Sequence, residues 1–133
     1  MSHRHFAVID RAFASVVNAD LDAAEKLFDP EVEWHNTSVF PGDNVCKGPR
    51  AIIAFWRALV EDLADEGGTE IEQYAESHDR AVVGFHSLGT GRTSGVPLDV
   101  RWAALFELHD QRVTRVDVYG SYAKANQALQ PPA

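Results

Sequence analysis

The sequence has one cysteine, one methionine and no run of basic residues. Because Cys46 stands alone, an internal disulfide is excluded and no thiolate cluster is available for a metal. No apolar stretch approaches the roughly 20 residues of a membrane span, and the opening MSHRHFAVIDRAF has no apolar segment of signal-peptide length. We therefore expect a cytoplasmic protein without a membrane partner.

Positive charge is also scarce: the chain has 12 Lys and Arg residues but 20 Asp and Glu residues, which gives a formal net charge of -8. Nucleic acids bind to basic surface patches, so they are not expected as partners of this acidic chain. What is present is apolar: 45% of the residues are hydrophobic, with seven Phe and three Trp. The 133 residues therefore predict one globular domain over 1–133, with a flexible tail from about residue 129.

Apolar periodicity predicts helices early in the chain and strands late. The predicted helices cover 6–17, 21–28 and 49–65, with a short fourth helix at 122–129. The predicted strands cover 32–36, 69–77, 80–92, 97–109 and 112–120. The turn-rich segment 37–47 is expected to be a loop over the mouth of a pocket. This order predicts an α+β fold in which helices cover one face of a curved, mostly antiparallel sheet.

The segment FELHDQRVTRVDVYG, residues 106–120, places a carboxylate, Asp117, between two valines of a predicted strand. With the hairpin turn at Asp110 and Gln111, uninterrupted pairing sets Asp117 opposite Ala104. Asp117 would then share the aromatic face of Trp102 and the other residues of that register. Those other residues are Val100, Phe106, Leu108 and Tyr119.

The opposite face of the same hairpin is predicted to be apolar as well. It would carry Ala103, Leu105, Val116 and Val118, for which the chain offers no further covering layer. A second copy of the chain is the natural cover, so the pattern predicts a homodimer.

Two interpretations of Asp117 follow from its predicted place. Arg115, two residues away on the same face, would neutralise it as a structural ion pair. Alternatively, aromatic walls would desolvate the carboxylate and raise its pKa toward neutrality, which would make Asp117 a general acid or base.

Histidines and aromatic residues supply the other candidates. His35 ends the first strand and His86 lies within RAVVGFHSL, where either could shuttle a proton. His3, His5, His78 and His109 lie at termini or turns and are expected to be solvated. No pair of histidines has ligand spacing with an acid on the same element, so no metal site is predicted. The residues expected to line a pocket for a small apolar or aromatic molecule are Phe13, Trp34, Trp56, Trp102, Phe106 and Arg115.

Three long segments resemble the SnoaL-like branch of the nuclear transport factor 2-like superfamily. These are NADLDAAEKLFDPEVEWHN, KGPRAIIAFWRALVED and GTGRTSGVPLDVRWAALFELHDQRVTRVDVYG. The resemblance implies a cone-shaped fold in which three N-terminal helices and a strongly curved sheet enclose an apolar pocket. It also implies a dimer and chemistry without a cofactor.

The resemblance further implies a role for Asp117, which falls where SnoaL-type polyketide cyclases carry an acid–base aspartate on the final strand. The expected reaction is proton transfer next to a carbonyl, as in aldol-type cyclisation, isomerisation or dehydration, with His86 or His35 assisting and Tyr119 donating an orienting hydrogen bond. A non-catalytic ligand-binding or dimerisation module is the alternative. Epoxide hydrolysis is the third, although Val82 and Gly84 stand where limonene-type epoxide hydrolases carry an Arg-x-Asp pair.

Overall fold

The computed structural model describes residues 5–36, 45–61, 68–92 and 95–129. Within these residues the chain forms four helices and six strands. The helices are α1 (Phe6–Val17), α2 (Leu21–Leu27), α3 (Pro49–Glu61) and α4 (Tyr122–Leu129). The strands are β1 (Phe28–His35), β2 (Val45–Lys47), β3 (Gly68–Ser77), β4 (Arg80–Thr90), β5 (Pro97–His109) and β6 (Arg112–Tyr119).

The six strands form one sheet in the order β2-β1-β6-β5-β4-β3. All neighbouring strands are antiparallel except β1 and β6, which are parallel. The predicted α+β class is confirmed, with a fourth helix added to the three early ones. The largest differences from the sequence prediction are that β1 begins at Phe28 rather than at residue 32 and that β2 lies in the segment predicted to be a loop. The ends of α2 and β4 differ by one and two residues. The rest of that segment, 37–44, lies outside the described residues.

Local signals explain how α1 and α2 meet. Asn18 and Ala19 end α1, and Ala19 has a positive φ of 55° that turns the chain. The Asp20 carboxylate then accepts a hydrogen bond from the Ala23 amide at 3.2 Å, which caps α2. The two helices therefore pack side by side over one face of the sheet.

The sheet has an inner face, covered by α1, α2 and α3, and an outer face, partly covered by α4. The large buried core lies on the inner face and includes the rings of Phe13, Phe28, Trp34, Trp56, Phe85, Trp102 and Phe106. A smaller core joins Val82, Ala103 and Leu105 on the outer face to Ala125 and Leu129 of α4.

Helix α4 is the covering layer that the sequence analysis did not place. It crosses the outer face over β4 and β5, where Gly84 permits its approach: a Cβ atom at Gly84 would lie 3.0 Å from Cδ1 of Tyr122. The Arg80 guanidinium donates hydrogen bonds to the carbonyl oxygens of Ala128 and Leu129, at 3.2 and 2.9 Å, and so ties down the helix end. The apolar outer face is therefore covered within the chain, and the expected lack of a further layer is wrong.

The predicted register of the β5–β6 hairpin is also wrong. His109 pairs with Arg112 and Leu108 with Val113 as expected, but Glu107 then pairs with Arg115. Thr114 is the extra residue of a β-bulge, and every side chain beyond it points to the opposite face. Asp117 therefore lies opposite Leu105 on the outer face, not opposite Ala104 among the aromatic rings.

Candidate functional site

All three tryptophans of the chain meet on the inner face of the sheet. Trp34 comes from β1, Trp56 from α3 and Trp102 from β5, and all three are buried. The ring centroids of Trp34 and Trp56 lie 5.8 Å apart, and those of Trp56 and Trp102 lie 5.6 Å apart. We call these three residues the tryptophan row.

Phenylalanine rings extend the tryptophan row on both sides. Phe85 stacks on Trp102 with centroids 4.3 Å apart, and Phe13 of α1 lies 4.8 Å from Phe85. Phe106 meets Trp34 edge-to-face at 6.3 Å. The structure thus brings together five of the six residues predicted to bind substrate, while Arg115 lies on the outer face. Their role in binding stays a prediction.

Polar groups stand at both ends of the tryptophan row. The Trp34 indole donates to Asn36 Oδ1 at 2.9 Å, and the Trp102 indole donates to Ser87 Oγ at 2.9 Å. Ser87 Oγ also lies 2.8 Å from Oγ1 of Thr69 on the neighbouring strand. In the described residues no Asp, Glu, Lys or Arg side chain is buried. The inner face is therefore aromatic with neutral hydrogen-bonding groups.

Asn36, Ser87 and Thr69 were not among the residues predicted from the sequence. A signal was available for Ser87, because strand alternation places it with Val83 and Phe85, so that one hydroxyl shares an apolar face. Asn36 and Thr69 border segments that read as loops, and nothing in the sequence pairs them with an indole or a hydroxyl.

Three of the predicted catalytic residues, His35, Asp117 and Tyr119, do come together, but on the outer face. The parallel register sets His35 beside Asp117, and Tyr119 follows two residues later. Arg115 donates to both Asp117 oxygens, with Nε–Oδ2 at 2.9 Å and Nη2–Oδ1 at 3.1 Å. His35 Nε2 lies 2.8 Å from Glu33 Oε1. The contacts of Asp117 are those of the ion-pair interpretation.

The electrostatics of this outer cluster follow from the same contacts. The hydrogen bonds that Arg115 donates to the Asp117 carboxylate raise the pKa of Arg115 above its usual value. Burial raises the pKa of Tyr119, and the Asp117 charge raises it further. Both groups therefore hold their protons more firmly than in water.

His86, the fourth predicted catalytic residue, also lies on the outer face, where it pairs with Arg101 in the register of β4 and β5. Its Nε2 is 2.6 Å from Asp99 Oδ1, and its Nδ1 is 3.6 Å from Glu72 Oε2. Arg101 Nε lies 3.0 Å from Glu72 Oε1 and completes a charged network. None of the four predicted catalytic residues shares a face with the tryptophan row, and their catalytic roles stay predictions.

His5, expected to be solvated, is instead buried, with 6% of its surface exposed. Its Nε2 contacts the carbonyl oxygen of His78, and its buried Nδ1 has no hydrogen-bond partner among the residues that the structure describes. The helical spacing of His5 and Ile9 is the sequence signal that places His5 on the buried stripe of α1. A shallow depression of about 450 Å³ adjoins it, lined by His5, His78, Asp79, Leu108, His109, Asp110 and Gln111.

Two absences hold for the described parts of the chain. No three His, Cys, Asp or Glu side chains there come together as a metal site would require. No helix in those parts has both the length and the apolar character to cross a membrane.

Helices packed over a curved six-stranded sheet with an aromatic inner face define a protein of the nuclear transport factor 2-like fold. Residues 9–116 match the family model of the SnoaL-like domain. The chain therefore belongs to the SnoaL-like domain family. No match is found among the curated proteins.

Solved structures of the same fold cover nearly the whole chain. A nuclear transport factor 2-like protein from Burkholderia thailandensis is 18% identical, with a TM-score of 0.76 over 98% of this chain and 100% of that one. A SnoaL-like polyketide cyclase, so described, from Jannaschia sp. CCS1 is 21% identical, with a TM-score of 0.73 over 97% and 93%. TerC, co-crystallised with polyporic acid, is 18% identical, with a TM-score of 0.72 over 94% and 96%. At these identities the likeness concerns the fold alone.

Proposed function

We propose that this protein binds a small, flat, mostly apolar molecule against the tryptophan row. The observation that carries the proposal is the gathering of every tryptophan of the chain on one face, with hydrogen-bonding groups at Asn36 and Ser87 at its ends. Ligand sites are typically apolar and aromatic, with a few polar groups that set orientation. TerC, a protein of the same fold, was co-crystallised with the organic molecule polyporic acid, which supports the proposal of a small-molecule ligand for this chain.

Turnover is the second candidate, as proton transfer next to a carbonyl. Membership of the SnoaL-like family and the approach of His35, Asp117 and Tyr119 favour it. The position of these groups on the outer face, and the full engagement of Asp117 by Arg115, favour binding without turnover. Binding is therefore the function that the geometry supports best.

A homodimer stays a prediction. The argument for it from an uncovered apolar sheet face no longer holds, because α4 covers Val82, Ala103 and Leu105. Beyond α4, the outer face still presents the half-buried polar groups of β1 and β6 for contact with a second copy. Sedimentation at micromolar concentration decides the question: a single monomer peak would end the dimer proposal.

Two adjacent alanines provide a matched test of where the molecule binds. Ala104 lies in the inner core and Ala103 in the outer core, and both are fully buried. Substitution by valine adds the same volume on opposite faces and should cost a similar 1–3 kcal/mol, roughly, in each case. We expect wild type to bind 2-ethylnaphthalene at micromolar concentration, Ala104→Val to weaken binding several-fold, and Ala103→Val to leave it nearly unchanged.

The measurement is quenching of tryptophan fluorescence, checked by calorimetry, on variants whose fold is verified by circular dichroism. Equal weakening by both valines would show that only stability had changed. Absence of binding by 2-ethylnaphthalene and by related bicyclic hydrocarbons would overturn the proposed function.

A further inference from the structure

Strand β5 has an open edge near its beginning. In the described residues β5 pairs with β4 along 97–107, but its pairing with β6 begins only at Ala103, which lies opposite Tyr119. The stretch 97–101 therefore has a neighbouring strand on one side only within the described residues. An edge of this kind presents backbone N–H and C=O groups to which a further strand can bind. We call residues 97–101 the open edge of β5.

The backbone groups of Asp99 and Arg101 point toward the open side. Leu108 donates its amide hydrogen to the carbonyl oxygen of Asp79, the residue before β4, at 2.7 Å. Backbone groups alternate in direction along a strand, and the pairing of β5 with β4 has no bulge, so the even-numbered residues of β5 face β4. Asp99 and Arg101 therefore direct both N–H and C=O away from β4.

Exposed apolar side chains lie at the same end of the β4–β5 hairpin. Of the five large apolar side chains that are exposed in the described parts of the chain, three are Leu88, Val96 and Leu98. Leu98 belongs to the open edge, and Leu88 lies opposite Asp99 in the register of β4 and β5. A group of exposed apolar side chains is typical of a surface that contacts another protein.

The sequence of the open edge is complementary to itself. If two copies of β5 pair antiparallel about a two-fold axis through Val100, Asp99 of each copy lies opposite Arg101 of the other. The backbone groups of both residues then form the hydrogen-bonded pairs between the copies. Their side chains are 64% and 66% exposed, share one face of the sheet and carry opposite charges. Opposite charges at paired positions stabilise a sheet.

Other positions of the two-fold axis give poorer pairing. An axis through Asp99 would set this carboxylate opposite its own copy, and like charges at paired positions destabilise a sheet. An axis through Leu98 would set Asp99 opposite Pro97, which has no amide hydrogen to donate. An axis closer to β6 would need positions that β6 already occupies. The axis through Val100 is therefore the favoured one.

We propose that the open edge of β5 binds the same edge of a second copy of the chain, which joins the two sheets across a two-fold axis through Val100. This surface is separate from the outer face of β1 and β6, and the inference does not depend on the proposed function. Asp99 keeps its contact with His86 Nε2 at 2.6 Å while it accepts a hydrogen bond from Arg101 of the second copy. Because the paired segment is short, the dimer should be weak and reversible.

Charge reversal at the open edge tests the proposal on the full chain by sedimentation equilibrium. We expect wild type to dimerise reversibly at micromolar concentration. Asp99→Arg or Arg101→Asp should weaken dimerisation roughly tenfold or more, because each sets like charges opposite one another in both symmetric pairs. The double variant, Asp99→Arg with Arg101→Asp, should restore dimerisation. It still lacks the contacts of Asp99 with His86 and of Arg101 with Glu72, so restoration reports pairing between copies.

Glu33→Arg is the matched control, because it changes the net charge as Asp99→Arg does but lies on the outer face of β1. It should leave dimerisation unchanged, and circular dichroism verifies the fold of each variant. If Glu33→Arg abolished dimerisation and Asp99→Arg did not, the interface would lie on the outer face and the proposal would be wrong. It would also be wrong if wild type were monomeric, or if the double variant dimerised no better than the single variants.

A cysteine at the proposed axis tests the register directly. Facing residues of a non-hydrogen-bonded antiparallel pair have Cα atoms about 4.5 Å apart, which a disulfide can span. Val100→Cys should therefore give a disulfide-linked dimer with oxidised glutathione, whereas Val17→Cys, which is exposed on α1, should not. The natural Cys46 is buried in both variants. Equal cross-linking of the two variants, or none in Val100→Cys, would overturn the proposed pairing.

Discussion

At the scale of single residues, the Arg115–Asp117 pair lies on the partly exposed outer face. The Arg115 side chain is 46% exposed and that of Asp117 is 24% exposed, so water screens their attraction. Asp117→Asn should therefore lower the free energy of unfolding by at most about 1 kcal/mol. It should leave binding of 2-ethylnaphthalene unchanged, because the outer face is not the proposed site.

Urea denaturation of Asp117→Asn, Arg115→Gln and the double variant measures the coupling between the two side chains. A loss of several kcal/mol in the single variant would contradict the screened pair. With a substrate in hand, a rate falling roughly a hundredfold or more in a folded Asp117→Asn protein would instead favour the acid–base alternative.

The elements themselves were largely predictable from the sequence, because helix and strand periods, capping residues and turn residues all act locally. Asp20, Pro49 and the turn at Asp110 and Gln111 mark boundaries that the structure keeps. The side of the sheet to which each side chain of β6 points could not be predicted in the same way. Thr114 is an ordinary strand residue, and nothing local distinguishes a paired threonine from a bulged one. One unpaired residue therefore moved Asp117 from the expected aromatic face to the outer face.

The bulge makes a testable prediction about β6. Deleting Thr114 would restore uninterrupted pairing, turn Asp117 into the inner core and turn Val116 and Val118 outward. Because burying an unpaired carboxylate is far more costly than losing a hydrogen bond, the deletion variant should fail to fold. Thr114→Ala loses only the hydrogen bond from Thr114 Oγ1 to the Glu107 carbonyl and should cost about 1 kcal/mol.

Near-ultraviolet circular dichroism and thermal melts distinguish these two variants. A deletion variant that melts as wild type does would mean that the register is set elsewhere in the sheet.

At the scale of the whole molecule, all three tyrosines are partly buried, and burial is the main cause that raises each pKa. For Tyr74, the hydrogen bond to Glu76 raises the pKa further. A tyrosine with a raised pKa in the folded state contributes stability that is complete below about pH 10, its unfolded value. As the pH rises above that value the unfolded chain loses protons first, so stability falls.

Melting temperature should therefore decrease steadily as the pH rises above about 10. Tyr74→Phe, which removes one of the three groups, should make that decrease shallower, whereas Thr69→Val should not. An equally steep decrease of the melting temperature in Tyr74→Phe would contradict this explanation of the stability loss at alkaline pH. The measurement is thermal denaturation followed by circular dichroism over a range from about pH 8 to about pH 12.

The overall architecture was predictable from the order of elements and the family resemblance, but the cover of the outer face was not. The sequence predicts a helix at 122–129 without showing where it packs. Gly84 allows Tyr122 to approach β4, but the two residues are far apart in sequence. Local sequence patterns therefore cannot predict this contact. Long-range packing of this kind decides which surfaces are free for partners.

The parallel pairing of β1 with β6 also governs how the chain is made. β1 lies between β2 and β6, so Trp34 lacks its long neighbouring strand until Arg112–Tyr119 has left the ribosome. Until then the growing chain cannot complete the core that buries its aromatic residues. The pairing of β1 with β6 is a contact of long sequence separation, which is slow to form. The apolar residues of β1 therefore stay without their partner strand until late in synthesis, and truncated chains that lack β6 are expected to be cleared rather than to persist as folded fragments.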